Sequence, residues 1–330
     1  MRILITGASG LLGLNLALEA AKEHTVYGVV HQHPIDFRLA GEIWPGNYKP
    51  FEIIRADLRE TRAAGQKSIL GDILDARRPD WIVHCAALAD LDACEADPPL
   101  AHALNAELPE ALARHAVQRG VRLAHISTDA VFDGRKGEYT EADDPNPLSV
   151  YARTKLEGER AVLAADPQAV VLRVNLFGWS LTGRRSLAEF FFNNFRAGKS
   201  VMGFTDVHFC PLLVNDLFSI LHKIFQRKLS GLYHLVSCDS LTKYQFGVAL
   251  ARQFGFDESL IRPASVSEAG LKAQRSPLLT LRTNKLARDL GEPMPAVAPA
   301  LQHFHALYEQ GYPQFLKKLA AGVPSPSMMG

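Results

Sequence analysis

The chain has 330 residues, 47% of them hydrophobic, with 36 Lys and Arg against 35 Asp and Glu. That length supplies a large core or two packed lobes. The charge balance gives no basic excess for nucleic acid and no polybasic block for an anionic membrane, so we expect neither as a partner.

In chain order, RILITG (2–7) is an apolar run ending in glycine, and LLGLNLALEAAKE (11–23) has helical periodicity. A strand at the very start leaves no room for a targeting leader, and we expect none. TVYGVV (25–30) and FEIIRAD (51–57) read as the next strands. QKSILGDILDARR (66–78) predicts a helix and DWIVHCAA (80–87) a buried strand. PPLAHALNAELPEALARHAVQRG (98–120) reads as one helix with a kink risk at Pro109. VRLAHIST (121–128), VYARTKLEGERAVLAA (150–165) and AVVLRVN (169–175) continue as strand, helix and strand. Alternation of this kind implies a parallel sheet with helices on both faces, and right-handed crossovers make it a doubly wound α/β fold of Rossmann type. After about Asn175 the pattern is irregular. NDLFSILHKIFQRK (215–228), LTKYQFGVALARQFG (241–255) and LQHFHALYEQGYPQFLKKL (301–319) then each read as a helix. We expect a dinucleotide-binding domain over 1–175, with 212–228 returning to it. A smaller α/β lobe (176–211 and 229–322) should sit above the sheet's carboxyl edge, followed by a frayed tail at 323–330.

The first strand runs into TGASGLLG, with Gly7, Gly10 and Gly13. A pyrophosphate needs close backbone approach and free N–H groups at a helix start. Gly7 allows the tight turn, Gly10 removes a side chain from the phosphates' path, and Gly13 lets the helix pack closely. Ser9, Leu11 and Leu12 share this turn, so all six residues are cofactor-binding candidates. The second strand ends Val30-His31-Gln32-His33 with no carboxylate, and Asp36 lies further on. Such an end tolerates a 2′-phosphate, which favours NADP(H) over NAD(H), with His31 as its candidate. Asp57 and Leu58 follow the third strand. Asp57 either accepts from the adenine amino group or forms a turn. Cys85, Ala86 and Ala87 close the fourth strand with small side chains, for a cofactor lying on the backbone or for tight packing. The four cysteines, Cys85, Cys94, Cys210 and Cys238, form no CxxC and no zinc spacing with histidine. We therefore expect reduced thiols, no metal and a cytoplasmic compartment.

Ser127 and Thr128 end the fifth strand, at the edge where the glycine turn opens. A hydroxyl there could hold a substrate oxygen, or could simply form a turn. Tyr151 and Lys155, in YARTKLEGER, lie four apart on one helical face. A tyrosine titrates near ~10, and a neighbouring cation draws that value down. The pair is a candidate proton donor to a carbonyl oxygen.

GxxGxxG, HCAA, STDxVFDG and YxxTKLEGE, in this order, resemble the extended short-chain dehydrogenase/reductases. The chain is most similar to their dTDP-4-dehydrorhamnose reductase branch, which also holds the methionine adenosyltransferase regulatory (β) subunit. The resemblance implies an NADPH-dependent reductase of a nucleotide-sugar 4-ketone. It implies Tyr151 as proton donor, Lys155 on the nicotinamide ribose and Thr128, before Ser127, on the reacting oxygen. It also implies Asn105 as a mainly structural neighbour of the cofactor site, and Val174 to Phe177 bordering the nicotinamide. The branch's RPxNSxLD-type segment stands here as Arg275-Ser-Pro-Leu-Leu-Thr-Leu-Arg282. Arg275 is kept, Leu278 and Leu279 replace polar residues, and Arg282 replaces an acidic one. Arg184, Arg185 and Arg275 are candidates to clamp a diphosphate. AEFFFNNF (188–195) is either lobe core or a stacking surface. A non-catalytic NADP-binding subunit and an NAD-dependent epimerase or dehydratase stand as alternatives, and a homodimer is left open.

Overall fold

The computed structural model describes residues 1–31, 35, 51–58, 68–269 and 276–321. Seven parallel strands form the main sheet: β1 Arg2–Thr6, β2 Thr25–Val30, β3 Phe51–Arg55, β4 Trp81–His84, β5 Arg122–Thr128, β6 Val170–Val174 and β7 Gly231–Leu235. Their order is β7-β6-β5-β4-β1-β2-β3, so the winding reverses between β1 and β4. Open α/β sheets bind ligands at such a reversal, outside the carboxyl ends of the strands.

Successive side chains point to opposite faces of a strand. Ile3 and Ile5 accordingly join one core cluster, with Leu14 and Leu18 of the Leu11–Ala21 helix and Ile220 and Ile224 of the Leu217–Arg227 helix. Leu4 joins another, with Leu70 and Leu74 of the Ile69–Arg77 helix, Leu112 of the Leu108–Arg119 helix and Val162 of the Val150–Ala165 helix. Burial on both faces explains why these strands lack polar alternation.

The smaller lobe carries the Leu187–Arg196, Lys243–Phe254 and Val297–Glu309 helices and three small strand groups. Its core is continuous with the first cluster, from Ile3 through Phe177 to Phe304. Buried bonds tie the lobe down: Tyr312 Oη donates to Asn15 Oδ1 (2.7 Å) and Asn15 Nδ2 to the Trp179 carbonyl (2.9 Å). No described helix is long and apolar enough to cross a membrane.

Three expectations need correction. Gly231–Leu235, expected in the smaller lobe, is the last strand of the main sheet, paired with β6. The single helix expected over 98–120 is three pieces: Pro98–His102, a π-helical turn Ala103–Glu107, and Leu108–Arg119. Pro109 has no N–H for the carbonyl four residues back, that of Asn105. The ladder widens just before it, and the Leu108 N–H bonds Ala103 O. The last helix is two, Val297–Glu309 and Tyr312–Ala321, because Gly311 lies at φ +83°. Arg275 and the expected frayed tail at 323–330 lie outside the described residues, as do Gln32, His33 and Asp36.

Candidate active site

The turn after β1 is shaped by its glycines. Gly7 has φ +68°, and a Cβ there would sit 2.8 Å from the Ala86 nitrogen, at the reversal between β1 and β4. A Cβ on Gly13 would meet the Gly7 carbonyl oxygen at 2.3 Å, so the first helix is seated directly on the turn. Gly10 is exposed and caps that helix with no side-chain bond to its N–H groups. Ser9, Leu11 and Leu12 are half-buried around it, Ala86 just past β4 packs against Gly7, and Ala87 is exposed. An open helix N-terminus of this kind suits a phosphate.

Other cofactor candidates divide. His31, exposed at the end of β2, has its Nε2 3.2 Å from Asp57 Oδ2 at the end of β3, so these two touch each other. Leu58 follows β3 with its side chain buried in the core beside Val29 and Leu70. Asn105, expected as a mainly structural neighbour of the cofactor site, is 1% exposed. Its Oδ1 accepts from the Leu88 N–H, and its Nδ2 donates to the Leu88 carbonyl and to Thr154 Oγ1. It clamps the loop after β4 to the Val150–Ala165 helix and has no amide group to spare.

Thr128, Tyr151 and Lys155 converge at the rim of β5. Ser149 caps the Val150–Ala165 helix by accepting from the Ala152 N–H, which sets Tyr151 in its first turn. Thr128 hydrogen-bonds the Tyr151 phenol, whereas Ser127 donates to buried Glu159. Glu159 in turn is locked to Arg173, both nearly fully buried, at 2.7 Å. The alternation of β5 thus sends Thr128 to the cleft and Ser127 beneath the helix. Val174 stands beside Thr128 in register on β6.

The electrostatics correct one expectation. Tyr151 is not drawn down by Lys155 here: burial pushes its phenol up to about 12, against the Thr128 bond and with help from the Asp129 charge. Lys155, 2% exposed, turns its Nζ to the Ile126 carbonyl (2.7 Å) and faces His125 Nε2 at 3.3 Å. Burial lowers it to about 8. The pair shares a helical face, but the ammonium's bonds run toward the sheet.

Several residues beside the site carried no sequence signal of their own. Asp129 is buried behind Thr128, and Asn175 Nδ2 donates to its Oδ2 at 2.6 Å. Burial raises its carboxyl to about 6, although the bonds from Asn175 and Thr128 and the charge of Lys243 oppose this. Lys243 also lines a cavity of about 490 Å³ in the smaller lobe, with Phe190, Phe191, Met202, Phe204 and Arg262. Arg184 and Arg185, the expected diphosphate clamp, are instead exposed on the turn before the Leu187–Arg196 helix and do not line that cavity. The aromatic run splits: Phe191, Phe192 and Phe195 are core, whereas Phe190 is 47% exposed at the cavity. Only spatial proximity identifies Arg262 and Lys243; nothing local in the sequence marks them. Leu278–Leu279 pairs with His208–Phe209, and Arg282 bonds Glu138, so this segment packs against the loop that follows VFDG.

A winding reversal with an open glycine turn, together with a hydroxyl and a phenol at the end of β5 and a buried ammonium on the phenol's helix, marks a dinucleotide-binding protein of the short-chain dehydrogenase/reductase kind. Within that class the chain belongs to the family of the RmlD substrate binding domain, which matches residues 1–309. It is 34% identical over 277 residues to the methionine adenosyltransferase 2 subunit beta of Xenopus tropicalis, covering 82% of this chain and 77% of that one. It is 30% identical over 293 residues to a dTDP-4-dehydrorhamnose reductase of Mycobacterium tuberculosis, covering 87% and 86%. A crystal structure of a dTDP-4-dehydrorhamnose reductase from Clostridium acetobutylicum superposes with a TM-score of 0.75 at 26% identity, over 94% of this chain and all of that one.

Proposed function

We propose that the chain is an NAD(P)-dependent reductase of a ketone on a nucleotide-linked sugar, with Tyr151 as proton donor. The observation that carries this reading is Thr128 beside the Tyr151 phenol at the end of β5, with buried Lys155 one turn further along the Tyr151 helix, in a sheet whose winding reverses between β1 and β4. The glycine turn fits a dinucleotide: Gly10 leaves its helix start uncapped by any side chain, and bare Gly7 and Gly13 let the turn pack tightly against the end of β4 and the first helix. A bound nicotinamide dinucleotide supplies the hydride.

The residues of the chain do the rest. Tyr151, with a pKa near 12, is fully protonated at neutral pH, so the proton is in place before the ketone arrives. Thr128 orients the ketone oxygen toward it. Lys155 is mostly cationic below about pH 8, one helical turn along from the phenol. At the end of β2 no carboxylate precedes His31, which favours NADP(H), although the Asp57 carboxylate 3.2 Å from His31 Nε2 opposes a 2′-phosphate there. Arg262 and Lys243, on an apolar cavity of nucleotide size, suit a nucleoside diphosphate better than Arg184 and Arg185 do.

The test is oxidation of NADPH and of NADH by purified protein with a panel of nucleotide 4-keto sugars. Turnover with at least one, faster with NADPH, is expected. No turnover across the panel would overturn the substrate class. A second reading, a non-catalytic subunit that binds NADP, is favoured by the 34% identity to a protein named as a subunit of methionine adenosyltransferase. Under that reading the protein would co-purify with an adenosyltransferase and leave every keto sugar untouched.

A further inference from the structure

Beneath the site lies a row of polar side chains in the sheet interior. Thr6, His84 and His125 are in register on β1, β4 and β5, and each is at most 1% exposed. The Ala86 N–H donates to Thr6 Oγ1 at 3.3 Å, and the same hydroxyl shares a hydrogen bond with His84 Nδ1 at 2.7 Å. The His84 and His125 rings stack at 5.2 Å and 23°. His125 Nε2 faces Lys155 Nζ at 3.3 Å. An ammonium can only donate, so His125 Nε2 is an acceptor and the ring's proton sits on Nδ1. His84 Nε2 and His125 Nδ1 are buried without a partner among the described residues. Leaving such atoms unpaired costs about 1–3 kcal/mol each, so two imidazoles are an expensive way to fill a sheet interior.

We propose that His125 is a positioning residue for Lys155: its neutral imidazole accepts one ammonium hydrogen, fixes Nζ beneath the cleft and keeps it protonated, while Thr6 and His84 hold the ring in place. With Ile126 O and His125 Nε2 taking two of the three N–H bonds, the third is left for the cleft. Burial keeps both imidazoles neutral, His84 down at about 3 and His125 well below its ordinary value. Of the other ionisable groups near Lys155, Glu159 on its own helix favours its charge, whereas the Cys85 thiol at the end of β4, pushed up to about 12 by burial, is neutral where Lys155 titrates.

The inference rests on the reductase reading only for its kinetic arm. Its direct arm is the titration of Lys155 by 13Cε NMR in the cofactor-free protein, with the resonance assigned by its loss in Lys155→Met. The wild type should titrate near 8. His125→Leu removes the acceptor and should move that midpoint down by about one unit, the scale of a hydrogen bond to a charged group. His125→Gln returns an acceptor and should restore much of the shift. The alkaline limb of kcat/KM should move with the NMR midpoint. A Lys155 midpoint unchanged in a folded His125→Leu, or lowered equally in His125→Gln, would overturn the assignment. Should His125→Leu fail to fold, His84→Leu, which loosens the His125 ring without touching Lys155, should lower the midpoint in the same direction, and no change there would overturn it. A wild type that titrates near 8 but turns over no keto sugar would sink the reductase reading and leave this one standing.

Discussion

Asp129 is the least expected ionisable group beside the candidate site. Its carboxyl is buried and raised to about 6, above the usual 3.8. Between those values the folded protein binds more protons than the unfolded chain, so stability falls as pH rises through that window and the full cost is present above 6. Asp129→Asn should therefore be more stable than wild type at pH 8, by at most about 3 kcal/mol, with the gain vanishing near pH 4. Urea denaturation at the two pH values checks this, and a gain that is larger at pH 4 would contradict it. Lys155 has the opposite charge and a depressed value near 8, so turnover that needs the ammonium should fall as pH rises through 8. The sequence showed that a phenol and an amine share a helical face, because that follows from spacing alone. It did not show where the amine's hydrogen bonds go. Ile126 O and His125 reach Lys155 only through the pairing of β4, β5 and the helix above them.

At the level of elements, the join between the π-helical turn and the Val150–Ala165 helix sets the position of Tyr151. A Cβ on Gly158 would lie 2.1 Å from the Asn105 carbonyl oxygen, so this helix rests on the turn through a bare backbone. Asn105 and Thr154 then pin the two side by side. Gly158→Ala should force the helix outward, costing roughly 1–3 kcal/mol or more and lowering turnover as Tyr151 moves with it. Denaturation and kinetics together check this; an alanine variant with full stability would contradict the contact. The alternation of strands and helices, both core faces and the glycine turn were legible because hydrophobic periodicity and glycine placement are local signals, whereas the return of Gly231–Leu235 to the main sheet was not. The breaks at Ala103–Glu107 and at Gly311 were not. Proline and glycine are tolerated near helix ends, and only packing decides whether one helix becomes two.

On the scale of the whole molecule, the smaller lobe shares one core with the sheet through Trp179, Phe304 and Tyr312, so cavity and cleft are held in fixed relation. Lys243 links them, lining the cavity while its charge reaches Asp129. Arg262→Ala should raise KM for a nucleotide sugar about tenfold or more, the scale of one lost charge-assisted hydrogen bond, with kcat little changed. An unchanged KM would place the nucleotide elsewhere. The account depends most on Tyr151 acting as an acid at a ketone. Side-by-side kinetics and NADPH binding of wild type and Tyr151→Phe test it: the variant should lose about 10²–10⁴ in kcat while its Kd for NADPH stays within a few-fold. Equal turnover by the two proteins would contradict it.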